Sequence, residues 1–190
     1  METWILPALL GLGLAAATGL RTFLPLLLLA GSARMGLFGV ELNSHVAWMT
    51  STPMLVGLGV ATAAELAADK IPVVDHALSA MGTVTRPLAA ALAAGSVFTH
   101  ADPGMAAMAG LIIGVPTALT FQSAQSSARF ISTATTAGLG NPVLSMLEDL
   151  AAGLLAVIAI AAPVIAAIIV AGLIFVAVNV LSLFRRGAPG

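Results

Sequence analysis

The chain alternates long apolar runs with isolated charges and prolines. The run from Trp4 to Ala30 is apolar except for Arg21, and the 35 residues from Leu150 to Phe184 carry no charge. A helix needs about 20 apolar residues to cross the roughly 30 Å of hydrocarbon in a bilayer. This pattern predicts an all-α, polytopic transmembrane helical bundle of about six hydrophobic segments, in a single membrane domain that covers residues 1–190.

Prolines mark the places where these segments begin and end. Thr52-Pro53 and Asn141-Pro142 are typical helix starts, because a polar cap precedes a proline at a position where no N–H is needed. The residue before a proline disfavours the α conformation, so helices tend to end there. We therefore expect broken helices, with breaks near Pro25, Pro72, Pro87 and Pro163.

The two halves of the chain carry similar landmarks. Each half has one arginine in its first segment, Arg21 or Arg129. Two later prolines lie 19 residues apart in the first half (Pro53 and Pro72) and 21 residues apart in the second (Pro142 and Pro163). Three segments are an odd number, so a second copy would insert upside down. We infer candidate inverted three-helix repeats at residues 3–100 and 104–184, an arrangement found in secondary transporters. The alternative is that the prolines simply end helices.

Composition supports a membrane protein and excludes several other classes. Hydrophobic residues make up 59% of the 190 residues and charged residues 8%, which is too few charges to cover a soluble domain. The net charge of −1 gives no basic surface for nucleic acid. Cysteine is absent, which removes disulfides and thiolate metal sites. We find no glycine-rich phosphate-binding motif and expect no cofactor.

The densest group of ionisable residues surrounds Pro72. Its members are Glu65, Asp69, Lys70, Asp75 and His76. Three interpretations remain open: the carboxylates and the imidazole bind a cation or relay protons, they satisfy backbone groups freed by the proline, or they lie in water at the membrane interface. The identity of any metal is open, because hard oxygen ligands suit Mg²⁺ or Ca²⁺ but no metal-binding motif is present.

This Glu-x-x-x-Asp-Lys-Ile-Pro-x-x-Asp-His run resembles a family of small bacterial membrane proteins that is described only as a domain of unknown function. The segment from Gly19 to Pro25, the Arg86-Pro87 pair and the segment from Asn141 to Asp149 support the resemblance, which covers nearly the whole chain. It implies a membrane architecture and no assigned activity.

Two arginines are candidates for a central site. Arg21 is the deepest cation in the sequence, and Arg129 is its counterpart in the second half. Their guanidinium groups could hold an anion or pair with Glu65 and Glu148, next to Asp149, or each could extend to the nearer membrane interface. Charges at membrane depth are costly, about 2.5–3.5 kcal/mol each on insertion scales, so they need a partner or water.

Two further features concern helix packing. The run from Thr120 to Thr136 holds two glutamines and many hydroxyl groups, which would line a wet path or form a polar seam between helices. Gly110 and Gly114 form a small-xxx-small pair that permits close helix contact.

The sequence therefore predicts a small transporter or channel for an ion or small polar solute. The expected ion-binding and solute-binding residues are Arg21, Glu65, Asp69, Lys70, Asp75, His76, Arg129, Glu148 and Asp149. The alternatives are a membrane scaffold or assembly protein with structural charge pairs, and a membrane-embedded enzyme that uses Asp69, Asp75 and His76. We expect membrane lipid and a second copy of the chain, as a homodimer, to be its partners, and no nucleic acid.

The distribution of positive charge predicts the orientation in the cytoplasmic (inner) membrane. Six spans would place both termini on one side, and cytoplasmic termini put four cations at the inner face and one, Arg34, outside. The four are Lys70, Arg86, Arg185 and Arg186.

Overall fold

The computed structural model describes the backbone of residues 2–68 and 72–186 and the side chains of residues 4–68 and 81–179. Every regular element in these ranges is a helix. In chain order they are α1 (Glu2–Leu20), α2 (Leu24–Met35), 3₁₀ helices Leu37–Gly39 and Ser44–Thr50, α3 (Thr52–Ala68), α4 (Pro72–Ser96), α5 (Pro103–Thr136), α6 (Asn141–Ala161) and α7 (Pro163–Arg186).

Helix α1 is the centre of the bundle and packs against α4, α5, α6 and α7. Its residues Leu14, Ala15, Ala16 and Ala17 are fully buried. Small side chains allow this close packing: a Cβ on Gly13 would lie only 2.7 Å from the Cβ of Ala159 in α6. Alanine and glycine on α1 therefore let four helices approach one axis, as is common in membrane helix bundles.

The first hydrophobic run is two helices rather than the one segment that the sequence predicted. The chain turns at Arg21–Phe23, and α2 then runs back, so that Phe38 after its end lines the same cavity as Leu6 at the start of α1. The break near Pro25 is thus confirmed, because Pro25 lies in the first turn of α2. The reversal itself was missed, because apolar periodicity carries no information on where a buried chain changes direction.

The other proline predictions have mixed outcomes. Helices α3, α4, α6 and α7 begin at Thr52, Pro72, Asn141 and Pro163, as expected. The break near Pro87 is wrong, because α4 continues through that residue. Proline in a helix interior removes one backbone hydrogen bond, but packing against neighbouring helices can hold such a helix together, and α4 packs extensively on α5 and α1.

The α4–α5 pair is held by glycines, as the small-xxx-small pair predicted. The missing side chains of Gly110 and Gly114 let α5 touch the backbone of α4. A Cβ on Gly114 would lie 2.5 Å from the carbonyl oxygen of Ala90. Gly95 on α4 is equally close to the carbonyl of Ala106, at 2.8 Å. The two helices therefore form a tight antiparallel hairpin.

The ends of the described chain lie at opposite ends of the bundle. Helix α7 begins at Pro163 beside Leu6 of α1. Farther along, its Leu173 lies beside Phe121 of α5, which contacts Gly19 near the end of α1. Helices α1 and α7 are therefore parallel.

Two described helices, α5 and α6, are long and apolar enough to cross a membrane. A third candidate span exists if Ser44–Thr50 and α3, which meet at 64°, are counted together. The described parts of α1, α2 and α7 are shorter apolar helices. Length and composition thus support a membrane protein, with two to three candidate spans in the described residues.

We predict that Gly114→Ala lowers the free energy of unfolding by about 1–3 kcal/mol, because its methyl group would press against the α4 backbone. The matched control is Gly57→Ala in α3, whose added Cβ meets nothing within 4 Å. This control should be neutral or stabilising by up to about 1 kcal/mol. Unfolding in mixed micelles, followed by circular dichroism, measures both, and equal effects would contradict the close α4–α5 contact.

Candidate functional site

Charged and polar side chains from four helices, α3 to α6, converge with Arg21 where the chain turns from α1 to α2. We call this group the ionic cluster. Its members are Arg21, Glu65, Arg86, Gln125, Arg129, Ser145, Glu148 and Asp149. Three arginines and three carboxylates balance in formal charge.

Arg21 is fully buried immediately after α1. Its Nη2 donates to the hydroxyl of Ser145 at 3.0 Å and to the carbonyl of the same residue at 3.3 Å. Its Nε lies 2.5 Å from Oδ1 of Asp149, and its Nη2 lies 3.7 Å from Oε2 of Glu148. Arg21 therefore joins the end of α1 to the beginning of α6 through charge-assisted contacts, the strong class of polar contact in proteins.

Glu148 is the acceptor that α5 and α6 share. Arg129 donates to it from Nη2 at 2.5 Å and from Nε at 3.2 Å, and Nε2 of Gln125 donates at 2.6 Å. Its side chain is 7% exposed. The expected pairing of Arg129 with Glu148 is thus present in the structure.

Glu65 has a different role from the expected pairing with an arginine. Its two carboxylate oxygens accept the backbone N–H groups of Thr22 at 2.8 Å and Phe23 at 3.1 Å. These groups precede α2, where a helix has N–H groups without partners and a partial positive charge. A carboxylate from α3 therefore caps a helix that begins inside the bundle.

Arg86 and Gln125 belong to the cluster, although the sequence-based site omitted them. The Nη1 of Arg86 donates to the carbonyl of Gly19 at 3.3 Å and to Oε1 of Gln125. Gln125 thus links Arg86 to Glu148, with its amide oriented by both. The spacing of Gln122, Gln125 and Arg129 on one helix face was the signal that could have identified this set.

Four predicted site residues have side chains outside the part of the chain that the structure describes. Asp69 and Lys70 lie outside the described residues, and so do the side chains of Asp75 and His76. Among the side chains that are described, no group of three or more His, Cys, Asp and Glu residues could hold a metal ion.

The polar run on α5 divides between two faces. Gln122 and Gln125 are buried against α4 and form a polar seam. Most other polar residues of the run are exposed, and several bond to carbonyls of their own helix, for example Thr120 to Pro116 and Ser127 to Ser123.

Four cavities lie away from the cluster. The largest, about 570 Å³, opens near Glu41 and His100 at the end of the bundle where α1 begins, and one of about 290 Å³ lies between Asn43 and Pro103. Two more, of about 400 and 150 Å³, are apolar grooves on the flanks. None of these four is lined by a cluster residue.

In the described residues, these features define a helical protein with candidate membrane spans and a buried ionic cluster. The chain belongs to the family described as a domain of unknown function, DUF4126, whose model matches residues 8–182. This match supports the resemblance to a family without assigned function. No curated protein and no solved structure matches the chain.

We predict that Glu148→Gln destabilises the protein by about 3–5 kcal/mol, because it removes the carboxylate that Arg129 contacts and that lies 3.7 Å from Arg21. Adding Arg129→Gln to the same chain should recover part of this loss, since one unpaired charge is then removed. Glu41→Gln, at an exposed position, is the control. Unfolding free energies of the single and double variants measure the coupling, and strict additivity would contradict the pairing.

Proposed function

We propose that this protein is a small integral membrane transporter or channel for an ion or small polar solute, with the ionic cluster as its central site. The observation that carries the proposal is the convergence of three arginines and three carboxylates, from four helices and the α1–α2 turn, inside an apolar bundle. Replacing buried ion pairs by apolar residues is often neutral or stabilising, so stability alone does not require such a cluster.

The position of the cluster along the helices suits a site at membrane depth. Arg86 lies about 21 Å of helix rise from Pro72 and about 15 Å from Ser96, at 1.5 Å per residue. It therefore stands near the middle of α4. Intramembrane ionisable groups are common in substrate and ion pathways.

The broken α1–α2 segment also supports transport. Secondary transporters often build their sites at discontinuous helices, where helix ends present backbone groups to ions. Here the start of α2 lies inside the bundle, and its N–H groups reach the carboxylate of Glu65. A solute that competes for this carboxylate would act directly on the helix break.

Shared contacts give the cluster a route to a second arrangement. Glu148 interacts with Arg129, Gln125 and, at longer range, Arg21. Release of one of these groups would leave the others to hold the carboxylate. We propose that the direct pairing seen here is the closed state and that an open state exchanges these partners for solute or water.

The helix directions support only part of the proposed inverted repeat. Helix α3 runs opposite to α6, and α4 runs opposite to α7, as inversion requires. However, α1 and α5 are parallel, and α2 has no counterpart among the described helices. The parallel α1 and α7 also favour termini on opposite sides, rather than both in the cytoplasm. We retain the cytoplasmic membrane as location and a homodimer as the assembly that would complete a chain of 190 residues.

A scaffold or assembly protein is the second candidate. The direct pairing of Arg21 and Arg129 with carboxylates favours it, because such contacts also fix helices in place. A scaffold would carry the same cluster but move no solute.

A flux assay with charge-conserving variants separates these roles. Glu148→Asp keeps the charge but shortens the side chain, so we expect the fold to persist while flux falls at least about tenfold, a change worth about 1.4 kcal/mol. The control is Arg34→Lys, outside the cluster, where the arginine bonds to the Thr50 carbonyl. Liposomes with the purified chain are tested with H⁺, Na⁺, K⁺ and Cl⁻ and ion-sensitive dyes.

Two results would contradict the proposal. One is equal flux of an ion through the wild-type protein and Glu148→Asp, when both are folded. The other is flux no greater than that of empty liposomes for every test ion, which would favour the scaffold.

A further inference from the structure

We propose that Arg86 and Gln122 form a binding subsite for one small monovalent anion, between α4 and α5. This inference rests on the proposed function for its physiological meaning, since it names the class of ion that the cluster would take. The subsite itself is argued from contacts and burial.

Arg86 differs from the other two arginines of the cluster. Arg21 and Arg129 each contact a carboxylate, whereas the hydrogen bonds of Arg86 within the described residues go to two neutral oxygens, on Gly19 and Gln125. Its side chain is only 9% exposed. A buried guanidinium without a direct counter-ion is costly, and a bound anion would relieve that cost.

A donor on Arg86 is available for such an anion. Its Nε is buried and has no hydrogen-bond partner among the described residues. The group beside it is Gly82, one turn earlier on α4, where an added Cβ would lie 3.2 Å from that Nε. Glycine therefore leaves the approach to Nε free of a side chain.

Gln122 lies on α5 at the same interface with α4. It is 9% exposed, and its amide lies 3.4 Å from the hydroxyl of Thr83, one turn before Arg86. Within the described residues, the oxygen of this amide, Oε1, is buried and has no hydrogen-bond partner. An amide has both donor and acceptor ends, so rotation about its last bond would present N–H groups to an anion. Two buried polar atoms at the α4–α5 interface, Nε of Arg86 and Oε1 of Gln122, thus have no hydrogen-bond partner among the described residues.

Charge balance selects the class of ligand. The three arginines and three carboxylates of the cluster already balance, so a multivalent anion would leave a large net charge in an apolar bundle. Charges of both signs act on Arg86 from longer range, the carboxylates of Glu65 and Glu148 and the guanidinium groups of Arg21 and Arg129. The space that one missing methyl group leaves suits a small ion such as chloride.

The test measures chloride binding by the full chain in detergent. Chloride replaces gluconate at constant ionic strength while the melting temperature is followed, because a ligand of the folded state raises it. We expect a saturable rise for the wild-type protein. In Gly82→Ala the half-saturating chloride concentration should increase about tenfold or more, because the methyl group occupies the approach to Nε.

A second variant tests the charge argument. Gln122→Glu would place a carboxylate at the subsite and should abolish the response to chloride. Gly57→Ala, at an open helix position, is the matched control and should respond like the wild-type protein. Helix interiors tolerate Gly→Ala well, so Gly82→Ala is expected to fold.

The outcomes are distinct from those of the flux assay. No chloride response in the wild-type protein, or an unchanged half-saturation in Gly82→Ala, overturns the subsite. A chloride response that Gln122→Glu loses, and that Gly82→Ala shows only at about tenfold higher chloride or more, supports it, even if no ion crosses the liposome membrane. In that case the transport proposal fails while the subsite stands.

Discussion

The bond between the Glu65 carboxylate and the two N–H groups before α2 is the contact on which the rest of the architecture depends. A chain that reverses inside an apolar bundle must satisfy its freed backbone groups without water. Glu65 does so from a neighbouring helix, and this fixes the turn in which Arg21 lies. Arg21 in turn contacts Ser145 and Asp149 of α6, so the ionic cluster depends on the helix reversal.

The sequence predicted the helical class, most helix starts and one of the charge pairs of the candidate site. Proline with a polar cap is a local signal, so the starts at Thr52 and Asn141 could be recognised without tertiary information. The pairing of Arg129 with Glu148 was also expected, because isolated charges in apolar segments need partners. The glycine pair of α5 likewise acts through a spacing that is visible in the sequence.

The features that the sequence did not reveal are those decided by tertiary contacts. Pro87 disfavours a helix locally, yet packing of α4 keeps the helix continuous. Glu65 was expected to meet an arginine, but backbone N–H groups at a hidden helix start are its partners. In the sequence Gln125 is one of many polar residues on α5, and only the packing of α4 shows that Arg86 is its partner.

The short helices lie together on one flank, and this has a consequence for the surrounding lipid. Helix α2 is about 18 Å long and the adjacent α3 about 26 Å, whereas α5 is about 51 Å. A bilayer of roughly 30 Å hydrocarbon thickness would be compressed beside α2 and α3 and not beside α5. The free-energy cost of such hydrophobic mismatch falls when two molecules share one region of compressed lipid. The lipid would therefore favour contact between the α2–α3 sides of separate molecules.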